Sequence, residues 1–196
     1  EYSSFLAFTL TVAGSVTINN GAHLSVPGNN SKQHNLFISG SLTNNGSVDL
    51  YQDADDYVNL VFNSAVNSTV TGAGTWDLNK VTVFKSTLTS YRLDVQVNAF
   101  ENAIRQLVVT YGTYHHDNTG TYNVNAGAGA FTVDPNAIFK VSQGILSLSP
   151  LTPYCYLQGG LQVTGGTLKI GQSTGTGGLR YDQNGTIVPF VTVTSG

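Results

Sequence analysis

The sequence predicts an all-β protein that folds as a right-handed parallel β-solenoid, in which the chain winds into stacked coils of roughly 22–26 residues. Three observations lead to this prediction. Apolar and polar residues alternate in short runs, turn-forming residues separate these runs, and near-copies of the same phrase recur at intervals of one coil. Alternation is typical of strands because successive side chains of a strand point to opposite faces.

The alternating runs extend along the whole chain and are separated by Asn-Asn-Gly, Gly-Gly and Asp-Pro-Asn, which favour turns. The clearest runs are "FTLTV" (8–12), "NLFI" (35–38), "FTVD" (131–134), "ILSLS" (145–149) and "LQVTGGTLKI" (161–170). One further segment, "LDVQVNAFENAIRQLVV" (93–109), fits two interpretations: a helical turn around 101–106, or two strands joined by a polar corner.

The recurring phrases indicate how the predicted coils stack. "LTVAGSVTINNGAHLSV" from Leu10 and "LFISGSLTNNGSVDLYQ" from Leu36 match over most of their length, although their Asn-Asn-Gly turns are one residue out of step. Residues 144–148 match residues 166–170 in a similar way. In a solenoid, equivalent apolar residues such as Leu10 and Leu36 would form interior columns with a spacing of about 4.8 Å. An extra residue at a corner changes no strand pairing, which explains why the copies slip only at their turns.

We predict a single solenoid over residues 1–196, with its clearest coils at 9–85 and 131–172. The segment 86–130 departs from the repeat and is predicted to be an irregular coil or an insertion. A β-sandwich stays open as the alternative for this middle segment, since sandwiches also consist of short strands with turns every roughly 8–12 residues. Both ends of the chain are apolar and lack a polar cap, so we expect a fragment of a larger chain.

Composition narrows the classes of function. Charged residues make up 10% of the chain, against about 25% in an average globular protein, so the polar surface must come from Asn, Thr, Ser and Gln. This balance is typical of extracellular β-rich proteins. The net charge is −3 and the 8 basic residues are scattered, which argues against a nucleic-acid partner. No apolar run approaches the length of a membrane span, and the single cysteine, Cys155, cannot form an internal disulfide.

Three of the phrases resemble the repeats of a known family. "LFISGSLTNNGSVDL", "VTGAGTWDLNKVTVFKS" and "LQVTGGTLKIG" are similar to repeats of giant surface adhesins of Bacteroidota, which the type 9 secretion system exports and which include the gliding-motility adhesins. More distantly, they resemble filamentous haemagglutinin-type β-helices. The resemblance covers roughly residues 9–85 and 131–172. It implies a large secreted protein on a bacterial cell surface, and it implies no catalytic residues.

The acidic residues offer one candidate metal site. Asp53, Asp55 and Asp56 lie close together in "YQDADDY" and could bind Ca²⁺, which takes six to eight oxygen ligands. The spacing lacks the distal Glu of an EF-hand, however, and a solvated corner of the coil is the preferred interpretation. A carbohydrate-active β-helix such as a polysaccharide lyase would have to draw its catalytic groups from these carboxylates, Lys85 and Arg92.

The aromatic residues offer one candidate binding surface. Tyr111, Tyr114 and Tyr122, with Trp76 elsewhere in the chain, could present flat faces to sugar rings or to a protein partner, although packing between coils is the preferred interpretation. The adjacent histidines at 115–116 lie in the same stretch, which is predicted to be a polar loop. On a strand, neighbouring histidines would point to opposite faces and could not easily bind one metal together.

We therefore expect a non-enzymatic segment of a secreted surface protein, without a cofactor, that serves as a stalk or as the body of an adhesin. Its expected partners are other segments of the parent chain, secretion or surface-anchoring proteins, and surface glycans. Two alternatives stay open: a carbohydrate-active β-helix enzyme, and a viral fibre in which solenoids trimerise. The sequence contains no H-E-x-x-H motif and no P-loop.

Overall fold

The predicted fold class is confirmed by a computed structural model of the chain. The chain is nearly all β, and its coils stack in parallel to form a β-solenoid of about six turns. In the described part of the chain, no helix is long and apolar enough to cross a membrane. The residues that the structure describes are 7–26, 32–124, 131–148, 155–170, 179–181 and 191–194.

The described residues form short strands and one short helix, and every pairing between two of these strands is parallel. In chain order the elements are β1 (Thr9–Val12), β2 (Val16–Ile18), β3 (His23–Ser25), β4 (Gln33–Ile38), β5 (Leu42–Asn44), β6 (Ser47–Asp49), β7 (Tyr57–Asn63), β8 (Ser68–Thr71), β9 (Thr75–Phe84), β10 (Arg92–Val95), α1 (Asn98–Ala103), β11 (Ile104–His116), β12 (Thr121–Asn123), β13 (Phe131–Val141), β14 (Ile145–Leu148), β15 (Cys155–Leu157), β16 (Gly160–Val163), β17 (Thr167–Ile170), β18 (Leu179–Tyr181) and β19 (Val191–Val193).

Strands of successive coils stack into three faces. The first face contains β1, β4, β7, β9, β11, β13, β15 and β18, and the second contains β2, β5, β8, β10, β11, β13, β16 and β19. The third face contains β3, β6 and β9, followed further along the solenoid by β12, β14 and β17. The long strands β9, β11 and β13 turn a corner, so each of them contributes to two faces.

The observed register matches the recurring phrases. Leu10 pairs with Leu36 and Val16 with Leu42, as predicted. The offset between β2 and β5 is two residues longer than the offset between β3 and β6, so the slack lies at the corner between these strands. The predicted interior column needs one correction, because Leu10 is 60% exposed in the first described coil whereas Leu36 is 5% exposed. This column therefore becomes interior only from the second coil onward.

Apolar side chains fill the space between the three faces. Burying one large aliphatic side chain contributes about 1.5–3 kcal/mol, so stacked columns of them stabilise the solenoid coil by coil. One interior column of the second face is broken by a single polar residue, His116. The members of this column are Leu42, Val70, Val95, His116, Val141 and Val163.

The middle segment is part of the solenoid, so the β-sandwich alternative is wrong. β10 pairs with β8 and with β11, which continues the second face without interruption. A short helix is present, as one of the two interpretations held, but its position differs: α1 spans Asn98–Ala103, and residues 104–106 belong to β11. The helix packs against β9 and β12, in the position that a strand of the third face would occupy. The Phe100 ring lies edge-on to Trp76 at a centroid distance of 5.0 Å and holds α1 to the core.

Candidate functional site

The second face carries a row of polar side chains on its outer surface, which we call the outer wall. Because the strands pair in register, outward-pointing residues of successive coils form columns. The columns of the outer wall lie on β10, β11, β13 and β16, next to one another along the solenoid. Their members are Arg92, Thr113 and Ile138 in one column, and Asp94, His115, Lys140 and Gln162 in the next.

Five side chains of the outer wall form a continuous hydrogen-bonded chain, which we call the outer relay. Arg92 Nε donates to both carboxylate oxygens of Asp94, at 2.7 and 2.9 Å. Asp94 Oδ1 lies 2.6 Å from His115 Nδ1, and His115 Nε2 lies 2.8 Å from Ser142 Oγ. The Ser142 hydroxyl in turn donates to Asp117 Oδ1 at 3.1 Å. The relay thus links three successive coils through their outward side chains.

The order Asp–His–Ser is that of a catalytic triad, but the hydrogens are arranged differently. Ser142 has one hydroxyl hydrogen, which it donates to Asp117. When Ser142 donates this hydrogen to Asp117, it can only accept a hydrogen bond from His115 Nε2, and Asp94 Oδ1 lies beside the other ring nitrogen, Nδ1. A ring nitrogen that donates to Ser142 cannot take a proton from it. In this arrangement the outer relay joins neighbouring coils and does not activate Ser142.

Asp117 ends the relay as a carboxylate. Burial raises the pKa of its carboxyl, but hydrogen bonds from Gln96, Ser142 and Gln143 and the positive charge of His115 outweigh burial and hold the pKa below its usual value. Gln96 Nε2 and Gln143 Nε2 lie 3.2 and 3.1 Å from the carboxylate oxygens. Asp117 is therefore ionised at neutral pH and provides the negative charge that faces His115.

A groove of about 330 Å³ opens beside the relay, and we call it the outer groove. Its two charged lining residues, Arg92 and Lys140, are both cationic. The Thr113 hydroxyl donates to the backbone carbonyl of Thr89 at 2.7 Å, which ties the loop between β9 and β10 to the wall. The lining residues are Thr89, Ser90, Arg92, Thr113, Ile138, Lys140 and Gln162.

The two basic residues considered for a carbohydrate-active site lie in different surroundings. Lys85 is 1% exposed, and its Nζ donates to the hydroxyls of Ser64 at 2.9 Å and Ser68 at 2.5 Å. Burial lowers the pKa of Lys85 from 10.5 to about 8. Arg92 has a half-exposed side chain and pairs with Asp94. The two basic groups therefore bind different partners and do not converge on one carboxylate.

The aromatic residues predicted as a binding surface divide between core and surface. Tyr114 and Tyr122 are 0% and 1% exposed, so the binding-surface alternative is wrong for both and the preferred interpretation, packing between coils, is confirmed for them. A register shift between Val109 and Tyr111 turns the even-numbered residues at the end of β11 toward the core. Tyr111 stays partly exposed, whereas Trp76 packs against the core. The stretch 111–116 is therefore strand, and the polar-loop prediction is also wrong.

The three aspartates predicted as a weak Ca²⁺ site occupy a corner before β7. Asp53 and Asp55 are exposed, as expected of a solvated corner, but Asp56 is 1% exposed. Asp53 Oδ1 accepts hydrogen bonds from the backbone N–H groups of Asp55 and Asp56, at 2.8 and 2.9 Å, and so stabilises the turn itself. Across the described residues, no group of three or more His, Cys, Asp or Glu side chains is placed to hold a metal ion. The carboxylates of Asp53, Asp55 and Asp56 are thus not arranged as the Ca²⁺ site that the sequence offered as a candidate.

A buried polar cluster inside the solenoid was missed by the sequence reasoning. Glu101 on α1 accepts hydrogen bonds from Tyr114 Oη at 3.1 Å, His116 Nδ1 at 2.7 Å and Asn118 Nδ2 at 2.9 Å. Burial, followed by the charge of Glu101, raises the pKa of Tyr114 well above its usual value. The cluster fastens α1 to β11. Its one signal in the sequence was the pair of adjacent histidines, which do point to opposite faces: His115 outward and His116 inward.

Comparison of the chain with models of protein families, with characterised proteins and with solved structures finds no match. The resemblance of its repeats to surface adhesins therefore stays a prediction.

Proposed function

We propose that this chain is a structural and adhesive segment of a large secreted protein on a bacterial cell surface, where it serves as a stalk or as the body of an adhesin. Its partners would be neighbouring segments of the parent chain, secretion or surface-anchoring proteins, and surface glycans. The observation that carries the proposal is the outer wall, where side chains of successive coils hold one another in a fixed polar surface.

Side-chain hydrogen bonds between neighbouring coils support a structural role. The hydroxyls of Thr43 and Thr71 lie 3.0 Å apart on adjacent coils. Ser41 Oγ accepts a hydrogen bond from the Thr69 backbone N–H at 3.0 Å, and Ser15 Oγ accepts one from the Ser41 N–H at 3.0 Å. Each such bond contributes about 0.5–1.5 kcal/mol in addition to the backbone ladder. Each coil is thus stabilised by its neighbours, as in other solenoids, and the stack suits a spacer that holds its shape.

The fixed positions of the side chains in the outer wall support an adhesive role. His115 and Asp94 are each 8% exposed and are held by bonds to other residues of the wall, so they lose little freedom when a ligand binds beside them. Thr89 and Thr113 are linked by a hydrogen bond, which keeps one side of the outer groove in place. Hydroxyl and amide groups both donate and accept hydrogen bonds, which matches the hydroxyls of a glycan.

The proposal is tested by measuring whether the whole chain binds without transforming its ligand. The purified chain, carrying a fluorescent tag at its N-terminus, is applied to an array of neutral and acidic saccharides and to immobilised bacterial surface proteins. We expect saturable binding that weakens in a His115→Ala variant, which breaks the outer relay but leaves the core intact. Absence of saturable binding to every ligand on both surfaces would contradict an adhesive role.

Two further measurements address the alternatives. Release of shortened or unsaturated products from acidic polysaccharides, with Ca²⁺ present, would support a carbohydrate-active enzyme instead of an adhesive segment. A trimer in analytical ultracentrifugation would support a fibre. We expect intact polysaccharide and no trimer.

A further inference from the structure

We propose that the outer groove binds an acidic saccharide, whose carboxylate or sulfate groups pair with Arg92 and Lys140 while its neutral hydroxyls bind the polar lining of the groove. This inference rests on the adhesive function proposed above and names the ligand class of the same wall.

Positive charge collects around the groove of a chain whose net charge is −3. Both charged lining residues of the outer groove, Arg92 and Lys140, are cationic, and Arg92 is paired with Asp94. Within the part of the chain that the structure describes, Lys140 has no ion pair, and the strand register places it beside His115. An anionic ligand can therefore stabilise this site without displacing an existing ion pair.

Arg92 is held in a position that suits an anionic group. Its Nε is fixed by both oxygens of Asp94, which fixes the plane of the guanidinium. Its terminal amino groups make no hydrogen bond to other described residues, and they belong to a half-exposed side chain that lines the groove. A guanidinium with free amino groups binds carboxylate or sulfate oxygens through paired hydrogen bonds. The Asp94 contact thus orients Arg92 and leaves its outer edge available.

The rest of the lining favours a sugar over a bare anion. Ser90, Thr113 and Gln162 supply hydroxyl and amide groups of the kind that bind sugar hydroxyls, and Ile138 supplies an apolar surface for the C–H face of a ring. Arg92 stands two coils away from Ile138 in the same column, which is about 10 Å along the solenoid. Lys140 lies two residues beyond Ile138, so the two cations are spaced for acid groups on different sugar residues of one chain.

The test measures the affinity of the whole chain for three defined oligosaccharides by isothermal titration calorimetry. Oligogalacturonate carries only carboxylates, κ-carrageenan oligosaccharide carries only sulfates, and maltohexaose is neutral. The variants are Lys140→Gln, which removes the charge, Lys140→Arg, which keeps it, and Lys169→Gln as a control at an exposed lysine of β17 on the third face. Circular dichroism verifies that each variant keeps its β structure.

We expect at least one acidic oligosaccharide to bind more tightly than maltohexaose, with an affinity that falls as salt is added because half-exposed ion pairs are screened. Lys140→Gln should weaken that binding by about tenfold, Lys140→Arg should restore most of it, and Lys169→Gln should leave it unchanged. The preferred oligosaccharide shows whether the acid group is a carboxylate or a sulfate.

Three results would overturn the inference. These are no binding of either acidic oligosaccharide, equal binding of maltohexaose, and equal loss of affinity in Lys140→Gln and Lys169→Gln. If neither acidic oligosaccharide binds but neutral saccharides or surface proteins on the array do, the groove is overturned as an acid-binding site and the proposed adhesive function stays in place. Failure of the adhesive function is recognised separately, by the absence of binding to every ligand on the array.

Discussion

Replacing Lys85 with methionine should change how the stability of this protein depends on pH. The Lys85 ammonium is buried, its two hydrogen-bond acceptors are the neutral hydroxyls of Ser64 and Ser68, and burial lowers its pKa from 10.5 to about 8. A folded-state pKa below the unfolded-state pKa means that the unfolded chain binds more protons between these two values. The free energy of unfolding should therefore rise with pH across this interval.

The size of the effect follows from the two pKa values. A difference from 10.5 to about 8 corresponds to a cost of up to about 3 kcal/mol for keeping Lys85 charged in the folded state at neutral pH. Between about pH 7.5 and about pH 9.5, deprotonation removes about 2 kcal/mol of this cost. Methionine is apolar and similar in length, so Lys85→Met carries no such cost. It leaves the Ser64 and Ser68 hydroxyls without their donor, however, which offsets part of the gain at neutral pH.

The assay is urea-induced unfolding at these two pH values, for the original chain, for Lys85→Met and for Lys169→Met, an exposed lysine that serves as the control. The tyrosines and Cys155 are common to all three proteins, so any contribution they make cancels when the pH dependences are subtracted. When the pH is raised, the free energy of unfolding of the original chain and of the Lys169→Met control should increase by about 2 kcal/mol more than that of Lys85→Met. Equal pH dependence in all three proteins would refute the reasoning, because it would mean that Lys85 titrates as an exposed lysine does.

Three further substitutions test other parts of the structure by the free energy of unfolding. Glu101→Leu should lose about 3–5 kcal/mol, because it leaves its buried hydrogen-bond donors without an acceptor; a loss under 1 kcal/mol would contradict the buried cluster. Asp117→Ala should lose about 1 kcal/mol at neutral pH. Since the folded-state pKa of Asp117 is lowered, this difference should be present above the unfolded-state pKa and disappear as the pH falls through the folded-state pKa; a difference that persists in acid would exclude the carboxylate as its cause. Gly72→Ala should lose about 2 kcal/mol or more, because Gly72 has a φ of +105° and a Cβ there would lie 2.0 Å from the Asn44 carbonyl oxygen, whereas Gly14→Ala, with open space around it, should be nearly neutral.

Much of the fold could be predicted because a solenoid repeats local information. Each strand pairs with its own near-copy in the next coil, so similarity along the sequence is also contact in space. The pairs Val16–Leu42 and Ile145–Thr167 are examples of register that follows from the repeat alone. Prediction was weakest in the segment 86–130, where α1 replaces a strand and the copies no longer align.

The outer relay could not be predicted in the same way. Asp94, His115 and Ser142 belong to three different coils, separated by 21 and 27 residues. That these residues meet can be predicted only if the number of residues in each intervening corner is known. The corners are where the length of the coils varies in this chain. A register error of one residue would move each of these side chains to the opposite face of its strand.

By itself, the sequence determined the architecture: an all-β solenoid with short parallel strands, a coil of known length and a surface of hydroxyl and amide groups. It could do so because the alternation of apolar and polar residues, the turn residues and the repeats all lie within one or two coils of chain. Only the tertiary structure decided which polar residues lie inside. Between Val109 and Tyr111, β11 has one residue more than β9 and one fewer than β13. Before this irregularity the odd-numbered side chains of β11 point into the core, and after it the even-numbered side chains do. His116 and Tyr114 therefore enter the core, and His115 points outward to its partners on the outer wall. The cause lies in the neighbouring strands, which no pattern within β11 contains.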